Sequence, residues 1–237
     1  MRVAVISDIH SNIYALQAVL EDIETRQVDK IFCAGDLVGY TPFPNKVIEL
    51  IREEEITTVQ GNYDEAVGNE KVVCGCDYDT EVEQKIGSAS MNFTIVETTD
   101  QNKQFLRELP SEFTFDLGEL SVLLVHGSPR RLNEYLYAGS EQLKEVAAEV
   151  EEDILICGHT HLPYHRVVAG CHVVNVGSVG KPKHGNSNGV YTIIEAEADQ
   201  VQAEFIEVPY PVEKVTAKIK ATELADEMIE ILETGDA

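Results

Sequence analysis

The residues best suited to chemistry in this chain fall in five short polar clusters, each of which follows an apolar run. The clusters are Ser7-Asp8-Ile9-His10, Gly35-Asp36-Leu37-Val38-Gly39, Gly61-Asn62-Tyr63-Asp64, His126-Gly127-Ser128 and Gly158-His159-Thr160-His161. Singly, each is explained by a helix cap or a turn. Together they predict one site, because polar side chains at the carboxyl ends of neighbouring strands converge, and unpaired Asp and His are costly to bury.

The residue types in these clusters are those of a metal site. Carboxylate oxygens and imidazole nitrogens suit Mn, Fe, Zn and related divalent ions, and the lack of a thiolate argues against a structural zinc site. One aspartate can bridge two metals about 3.5–4 Å apart, so that both activate a single water. The glycines let the backbone approach an ion or a phosphate closely.

Hydrophobic periodicity predicts the elements that must position these clusters. In the first third of the chain, apolar runs alternate with helical patterns, which is typical of a parallel sheet covered by helices. The predicted segments are Val3–Ser7, Ile13–Thr25, Lys30–Ala34, Asn45–Glu55 and Ile56–Gln60. Ligand sites of such sheets lie at the carboxyl ends of the strands, where the clusters fall.

The second half of the chain is richer in strand patterns. A hairpin is predicted around Gly118-Glu119, between the strands Phe113–Leu117 and Ser121–Val125. After it we predict helix Ser140–Glu151 and the strands Ile154–Cys157, His165–Val168, Cys171–Val176, Val190–Glu195 and Val201–Val208. Two sheets that meet face to face, with helices outside, are the simplest assembly of these elements.

We predict a single domain over residues 1–237, because 237 residues with 43% hydrophobic content can bury one sizeable core. A helical insertion is predicted at about 69–110, with helices over 81–98 and 101–109. It would either form a lid over the site or only cover hydrophobic surface. The amphipathic segment at about 212–234 predicts a docked C-terminal helix.

The charge balance limits the classes of partner. The chain has 18 basic and 42 acidic residues, a net charge of −24, which disfavours binding to nucleic acid or to an anionic membrane surface. No apolar run is long enough to span a bilayer, and residues 1–7 are too short for the core of a signal peptide. We therefore expect a cytoplasmic protein. Whether it forms a homo-oligomer is left open.

The five cysteines predict reduced thiols more than a disulfide framework. Cys33 and Cys157 lie in apolar runs and should be buried. Cys74 and Cys76 form a lone C-x-C in a segment rich in Gly, Cys and Asp. A flexible loop is the favoured interpretation of that segment, and a zinc knuckle is the alternative.

The ordered clusters from Asp8 to His161 resemble the calcineurin-like metallophosphoesterase superfamily. The later segment Asn175-Val176-Gly177-Ser178-Val179-Gly180 resembles the Asn-Pro-Gly-Ser segment of its small prokaryotic phosphodiesterase branch, with Val176 in place of Pro. The resemblance covers most of the chain except the insertion and the tail. It implies a four-layer α/β/β/α sandwich of two mixed sheets flanked by helices.

The resemblance also implies a set of ligands for two divalent ions, whose identity among Mn, Fe, Zn and Ni it leaves open. One ion would be bound by Asp8, His10, Asp36 and His161, and the other by Asp36, Asn62, His126 and His159. Asp36 would bridge the two ions. In this interpretation Asp36, Asn62 and His126 also take catalytic roles.

Two residues that follow Asn62 receive separate interpretations. Tyr63 stands where phosphatase branches of the superfamily carry a His that protonates the leaving oxygen, and the small phosphodiesterase branch also lacks that His. The departure favours that branch and leaves the general acid open. Asp64 is predicted to orient a ligand or to close a turn.

Other polar residues have competing interpretations. Arg130 or Arg131 could reach a substrate phosphate as a bidentate fork, although loop arginines are more often solvated. His184 lies in a loop that the resemblance places near the site, where it could contact substrate. His165 and His172 lie in strand patterns and are predicted to be structural.

The resulting hypothesis is a dinuclear metal-dependent phosphoester hydrolase with a metal-bridging hydroxide as nucleophile and a small phosphorylated substrate. The branch resemblance favours phosphodiesters. The alternatives within the class are a phosphoprotein phosphatase and a dinucleoside-polyphosphate hydrolase. The alternative from another class is a non-catalytic protein-binding scaffold, which is disfavoured because every ligand position is filled by a suitable residue.

Overall fold

The computed structural model describes residues 1–197 and 200–236. Within these residues the chain forms ten strands and eight helices. The strands are β1 (Arg2–Ile6), β2 (Lys30–Cys33), β3 (Thr57–Thr58), β4 (Glu112–Leu117), β5 (Leu120–Val125), β6 (Ile154–Cys157), β7 (Tyr164–Val168), β8 (Cys171–Asn175), β9 (Gly189–Glu197) and β10 (Gln200–Val208). The helices are α1 (Ile13–Glu24), α2 (Pro44–Glu53), α3 (Asn62–Gly68), α4 (Glu81–Glu97), α5 (Asp100–Glu108), α6 (Glu141–Glu149), α7 (Val212–Ile219) and α8 (Glu227–Thr234).

The strands form two mixed five-stranded sheets. The first has the order β10-β9-β1-β2-β3, in which β1, β2 and β3 are parallel and β9 runs antiparallel to β1. The second has the order β4-β5-β6-β8-β7, with β5, β6 and β8 parallel and the edge strands β4 and β7 antiparallel. The predicted parallel core and the predicted hairpin are therefore confirmed.

Alternation along the strands separates the layers. In β1, Val3 and Val5 point towards the second sheet, while Ala4 and Ile6 point towards helices, as expected for side chains that repeat every two residues. One apolar core lies between the sheets, a second lies between the first sheet and most of the helices, and a third lies between the second sheet and α6. Three cores between four layers confirm the predicted α/β/β/α sandwich.

Side-chain caps fix where several helices begin. Thr80 and Glu83 form a reciprocal capping box at α4: the Glu83 N–H donates to Thr80 Oγ1 at 3.1 Å, and the Thr80 N–H donates to Glu83 Oε2 at 2.9 Å. Ser140 caps α6 by accepting from the Leu143 N–H at 3.1 Å. Both capped helices start within one residue of where the sequence patterns predict them.

The tail differs from the prediction of one helix over 212–234, because it forms the two helices α7 and α8. Met228 follows Ile219 by nine residues, or two and a half turns, so one continuous helix would point these buried side chains in opposite directions. A break between the helices lets both face the core, and Leu224 within the break is also buried.

Two smaller features also differ from the sequence patterns. The segment Gly61-Asn62-Tyr63-Asp64, interpreted as a turn, begins helix α3, and the predicted strand Ile56–Gln60 shortens to the two residues of β3. Helices α4 and α5 lie within the predicted insertion and pack against α3. In the part of the chain that the structure describes, no helix has the length and apolar character needed to cross a membrane.

Candidate metal centre

The polar clusters meet at one end of the sandwich, where strands of both sheets end. Asp8 and Asp36 lie in the loops after β1 and β2, and Asn62 is the first residue of α3 after β3. His126 follows β5 directly, and His159 follows β6 by two residues. All of these side chains are at least nine-tenths buried. The polar residues that follow the parallel strands of both sheets therefore lie close together, as expected at the carboxyl ends of such strands.

Five of the seven predicted ligands have a left-handed backbone, with φ between 48° and 64°. They are Asp8, His10, Asp36, His159 and His161. Such φ values are unfavourable for residues with a Cβ and concentrate at functional sites. Hydrogen bonds between loops hold them: the Asp8 N–H donates to Gly35 O at 2.9 Å and the His10 N–H donates to Asp36 O at 3.0 Å.

Two glycines allow the backbone of neighbouring loops to approach the carboxylates of Asp36 and Asp8 closely. A Cβ on Gly61 would lie 2.1 Å from Asp36 Oδ1, and a Cβ on Gly158 would lie 2.6 Å from Asp8 Oδ2. Neither space admits a side chain. The Asn175–Gly180 segment supports the same region, because the Gly180 N–H donates to Asp8 O at 3.0 Å.

The first group of candidate ligands consists of Asp8, His10 and His161. Asp8 Oδ1 lies 3.2 Å from His161 Nε2 and 3.7 Å from His10 Nε2. The two imidazole nitrogens lie 3.1 Å apart. Three ligand atoms of suitable chemistry therefore surround one point.

The second group consists of Asp36, His126 and His159, with Asn62 beside them. His126 Nε2 lies 3.4 Å from Asp36 Oδ2 and 3.0 Å from Asn62 Oδ1. The rings of His126 and His159 are in edge contact, with centroids 5.1 Å apart. Asn62 thus points its carbonyl oxygen into the group.

Backbone carbonyls determine which imidazole nitrogen faces the site. Nδ1 of His10 donates to Val38 O at 3.1 Å, Nδ1 of His126 to Ala34 O at 2.8 Å and Nδ1 of His161 to Lys181 O at 2.6 Å. Since a carbonyl only accepts, each Nδ1 carries a proton, so that in its neutral form each ring presents the lone pair of Nε2. This is the arrangement by which proteins orient metal-binding histidines.

Two buried atoms of the groups remain without a hydrogen-bond partner within residues 1–197 and 200–236. They are Asp8 Oδ1 and His159 Nε2. The other oxygen of Asp8 is occupied, because Oδ2 accepts from the Ser7 hydroxyl at 2.7 Å and from the His159 N–H at 3.0 Å. Unpartnered buried acceptors are costly unless a ligand completes them. The residues present therefore fit divalent cations, one in each group.

Electrostatic interactions within the groups shift the pKa of the Asp8 carboxyl and of the imidazoles in different directions. Burial opposes ionisation of Asp8, but the imidazole of His161 and two other imidazoles hold the pKa of that carboxyl well below its usual range. Burial lowers the pKa of His10 and of His159. Burial also works against the charged form of His126, but the Asp36 carboxylate raises the pKa of that imidazole to about 10.

Asp64 connects the Asp36 loop to the start of α3. Its Oδ1 accepts from the Leu37 N–H at 2.9 Å, and its Oδ2 accepts from the Gly61 N–H at 3.0 Å. Burial and the nearby carboxylate of Asp36 raise the pKa of Asp64 to about 7. Asp64 is not among the residues that line the cavity, and its hydrogen bonds join the segments that carry Asp36 and Asn62.

The segment with Cys74 and Cys76 lies against the second group, a contact that sequence reasoning missed. Asn62 Nδ2 donates to Cys74 O at 3.1 Å and to Cys76 Sγ at 3.2 Å, which turns the carbonyl oxygen of Asn62 towards His126. The two Sγ atoms are 2.9 Å apart. Two thiolates on a tetrahedral zinc would be about 3.8 Å apart at ordinary Zn–S lengths. The geometry thus disfavours the zinc knuckle.

A cavity of about 570 Å³, its open mouth included, gives access to both groups. Tyr63 lines it beside Tyr40, and the Tyr63 hydroxyl lies 3.1 Å from the Tyr78 hydroxyl. Burial and Tyr40 raise the pKa of Tyr63 well above its usual value. Lys181 also lines the cavity, and burial, followed by repulsion from a second lysine, lowers its pKa to about 7.

The sequence pointed only weakly to this cavity lining. Tyr40 follows a glycine of the second polar cluster, and Lys181 lies in the same short loop as His184, but neither residue type marks a site by itself. Tyr135 was also missed, and its ring packs against that of His159 with centroids 4.1 Å apart and the planes tilted by 31°.

Several residues considered from the sequence do not reach the cavity. The Arg130 guanidinium pairs with Glu149, at 2.8 and 2.9 Å, and with Glu145 at 3.3 Å, because α6 presents both carboxylates to it. His184 contacts Asn186 at 3.0 Å instead of lining the cavity. The structure therefore corrects the expectation that these two side chains face the site.

The remaining residues of that set also lie elsewhere. Arg131 lies 3.7 Å from Glu134. His165 and His172 contact each other at 3.0 Å across the antiparallel pair β7 and β8, as expected of structural histidines.

Comparisons with known proteins agree with this geometry. A family model described as "Calcineurin-like phosphoesterase superfamily domain" matches residues 1–199. An uncharacterized protein of Methanocaldococcus jannaschii is 32% identical over 249 residues, with 98% of each chain covered. A solved metallophosphoesterase from Sphaerobacter thermophilus is 28% identical with a TM-score of 0.80, covering 99% of this chain and 100% of that one. A hypothetical protein from Pyrococcus horikoshii OT3 is 25% identical with a TM-score of 0.85, covering 100% and 99%.

The family match extends over every loop that carries a candidate ligand, from Asp8 to His161. Likeness in sequence and fold extends along almost the whole chain to a metallophosphoesterase. The protein is accordingly an enzyme that hydrolyses phosphoric ester bonds with the help of metal, and the chain belongs to the calcineurin-like phosphoesterase superfamily.

Proposed function

We propose that the protein is a dinuclear metal-dependent phosphodiesterase that acts on a small phosphorylated substrate. One observation carries the dinuclear part. Asp36 Oδ2 lies 3.8 Å from His10 Nε2 of the first group and 3.4 Å from His126 Nε2 of the second. A single carboxylate oxygen thus faces both groups, as a bridging ligand must.

The seven ligands are Asp8, His10, Asp36, Asn62, His126, His159 and His161 in this proposal. Two bound divalent ions would supply Lewis-acid chemistry, by lowering the pKa of a water and by neutralising charge on the phosphoryl oxygens. The side chains of the protein would position the two ions. Burial of the ligand side chains excludes bulk water and strengthens electrostatic interactions at the reacting phosphorus. We propose Mn²⁺ as the first ion to test, with Fe, Zn and Ni beside it.

The expected preference among esters follows from Tyr63. Its hydroxyl is engaged with the hydroxyl of Tyr78, and its raised pKa makes it a poor proton donor at neutral pH. The leaving group must then depart without help from this position, which favours aryl or otherwise activated leaving groups. The likeness of the Asn175–Gly180 segment to the small phosphodiesterase branch supports diesters over monoesters.

The shape of the cavity supports a small substrate. Cys76 and Tyr78 from the loop before α4, Ile86 from α4 and Ile231 from α8 all line it. The predicted insertion at 69–110 therefore forms a wall of the cavity, and we interpret residues 1–237 as one domain that includes it. A cavity with walls on several sides suits a small ester better than the surface of a phosphoprotein, so a phosphoprotein phosphatase is the less favoured alternative. A dinucleoside-polyphosphate hydrolase remains compatible with this shape.

A non-catalytic scaffold is the remaining hypothesis, and the retained ligand set disfavours it. The test is elemental analysis of the purified protein, combined with hydrolysis of aryl phosphodiesters and aryl phosphomonoesters after loading with Mn²⁺. We expect about two ions per chain and faster hydrolysis of the diester. One ion or none in the loaded protein would contradict the dinuclear proposal, and a faster rate on the monoester would contradict the diester preference.

A further inference from the structure

Lys181 places an unpaired ammonium group inside the cavity. The residue is only 6% exposed, and it lines the same cavity as His10, Asp36 and His161. Within residues 1–197 and 200–236, the ammonium forms neither an ion pair nor a hydrogen bond. Its closest described interaction is with the ring of Tyr40, whose centroid lies 4.7 Å from Nζ. Burial of an uncompensated charge is costly, so such a group points to a ligand that completes it.

The backbone fixes Lys181 against the first group of ligands. Its carbonyl accepts from His161 Nδ1 at 2.6 Å, and its N–H donates to Ser178 Oγ at 2.9 Å. The ring of Tyr40, over which the ammonium lies, also contacts the His10 ring edge-on, with centroids 4.8 Å apart. The ammonium is therefore held beside the metal centre and not on a mobile surface chain.

Three carboxylates line the cavity, those of Asp36, Asp77 and Glu83, and two of them accept hydrogen bonds from backbone N–H groups. Glu83 Oε2 accepts from the N–H groups of Asp79 and Thr80, at 3.0 and 2.9 Å, because it belongs to the capping box of α4. Asp36 Oδ1 accepts from the Tyr63 N–H at 2.8 Å. Neither is an ion-pair partner of Lys181.

A second lysine extends the positive charge towards the cavity mouth. Lys183 also lines the cavity, is half-buried, and makes no ion pair within the part of the chain that the structure describes. The whole chain carries a net charge of −24, so an anionic ligand is repelled by most of the surface. The two ammonium groups therefore place positive charge at this opening, beside the cavity carboxylates of Asp36, Asp77 and Glu83, whereas the rest of the surface is mostly acidic.

We propose that Lys181 is a substrate-binding residue whose ammonium binds a phosphoryl oxygen of the substrate, with Lys183 adding attraction at the mouth. The identity of the anion as a phosphate ester rests on the proposed function. The geometry alone assigns a subsite for a small tetrahedral oxyanion. Inorganic phosphate is such a tetrahedral oxyanion and has no ester bond to hydrolyse, so its binding tests the subsite without turnover.

The test is isothermal titration of inorganic phosphate into the Mn²⁺-loaded wild type, Lys181→Met and Lys214→Met. Methionine keeps the length and apolar stem of lysine but removes the charge. Lys214 is the matched control, because it is exposed on α7 and its Nζ lies 5.4 Å from the Tyr14 ring, outside the cavity. A hydrogen bond to a charged group contributes about 10- to 100-fold in affinity. We expect the Kd for phosphate to rise by at least about tenfold in Lys181→Met and to stay within about twofold in Lys214→Met.

Unchanged phosphate affinity in Lys181→Met, with the metal content of the wild type, would overturn the proposal. If Lys181→Met loses metal or melts at a lower temperature, Lys181→Arg is measured in its place, since arginine keeps the charge. Affinity within about tenfold of the wild type is then expected, and no measurable binding would overturn the proposal. The outcome is independent of catalysis: if the wild type hydrolyses no ester but phosphate binding depends on Lys181, only the proposed function fails.

Discussion

Asp36 Oδ1 accepts a hydrogen bond from the backbone N–H of Tyr63 at 2.8 Å. This bond uses one carboxylate oxygen for the structure of the loop and leaves Oδ2 to face both groups of imidazoles. The start of α3 thereby orients the residue on which the dinuclear proposal depends. Asp64 strengthens the same connection by accepting from the N–H groups of Leu37 and Gly61.

Asp36→Asn should remove metal from both groups. The amide retains an oxygen that can accept from the Tyr63 N–H, so the loop has the means to persist, but the bridge loses its negative charge. Changes in residues that only support ligands already cost about 10- to 100-fold in metal affinity. We expect a loss of at least 100-fold here, measured by competition with a chromogenic chelator. Retention of two ions at wild-type affinity would contradict the bridging role.

Asn62→Ala and His126→Ala should lower turnover far more than stability, because both side chains complete the second group and not an apolar core. We expect kcat on an aryl phosphodiester to fall by at least about 100-fold while the melting temperature of the metal-free protein changes by only a few degrees. The measurements are steady-state kinetics and thermal unfolding in chelator. A loss of folding that parallels the loss of activity would show that these residues are structural.

Tyr63→Phe should keep most of the activity on an aryl phosphodiester. The substitution preserves the buried ring and removes only the hydroxyl that contacts Tyr78. General acid catalysis contributes about 10²- to 10⁴-fold where it operates, and a hydroxyl with a raised pKa is a poor proton donor at neutral pH. The comparison is kcat/KM on aryl and alkyl substrates for wild type and variant. A hundredfold loss on both would identify Tyr63 as a proton donor. Tyr63→His tests the converse, a gain on alkyl phosphomonoesters.

The fold was largely predictable because its cores follow simple periodicities. The alternating apolar side chains of β1 and the apolar face of α1 each pack against a neighbouring layer that the chain order determines. The tail was not predictable in the same way. The sequence pattern shows that the segments of α7 and α8 are amphipathic. In one continuous helix, Ile219 and Met228 would point to opposite sides, and this forces a break only because both side chains pack in the same core.

The site was predictable where residues come directly after strands. Asp8, Asp36 and His126 lie within three residues of a strand end, so the sheet topology brings them together. Contacts between distant loops were not predictable. Lys181 meets the ring of Tyr40 across 141 positions, and only the packing of the loops determines that contact. The direction of Arg130 depends likewise on carboxylates that α6 presents.

Asp22 gives a prediction for stability away from the site. Its carboxylate accepts from the Tyr191 hydroxyl at 2.6 Å and from Arg26 Nε at 3.0 Å. Burial opposes the charge, but these partners lower the pKa of Asp22. A carboxyl whose pKa is lower in the folded state adds stability above its unfolded pKa of 3.8, and the contribution disappears as the pH falls through the folded pKa.

Asp22→Asn should therefore reduce the free energy of unfolding by about 1 kcal/mol at pH 7, since the pair is partly solvated. The difference from the wild type should shrink below about pH 4. Urea unfolding at pH 7 and pH 3 measures both values. Glu21→Gln, an exposed position of the same helix, is the control and should change neither. A difference that persists unchanged at pH 3 would show that charge is not its origin.

The left-handed backbone at five of the seven proposed ligands would link metal loading to folding. Each such residue costs on the order of 1 kcal/mol, and five together are comparable with the net stability of an ordinary domain, about 5–15 kcal/mol. Cations that bind only the folded loops offset that cost through mass action. The stripped protein should consequently melt at a lower temperature than the loaded one. Hydrogen exchange in the stripped protein should be fastest in the loops after β1, β2 and β6, and the proposed ions would then contribute to the tertiary structure as well as to the chemistry.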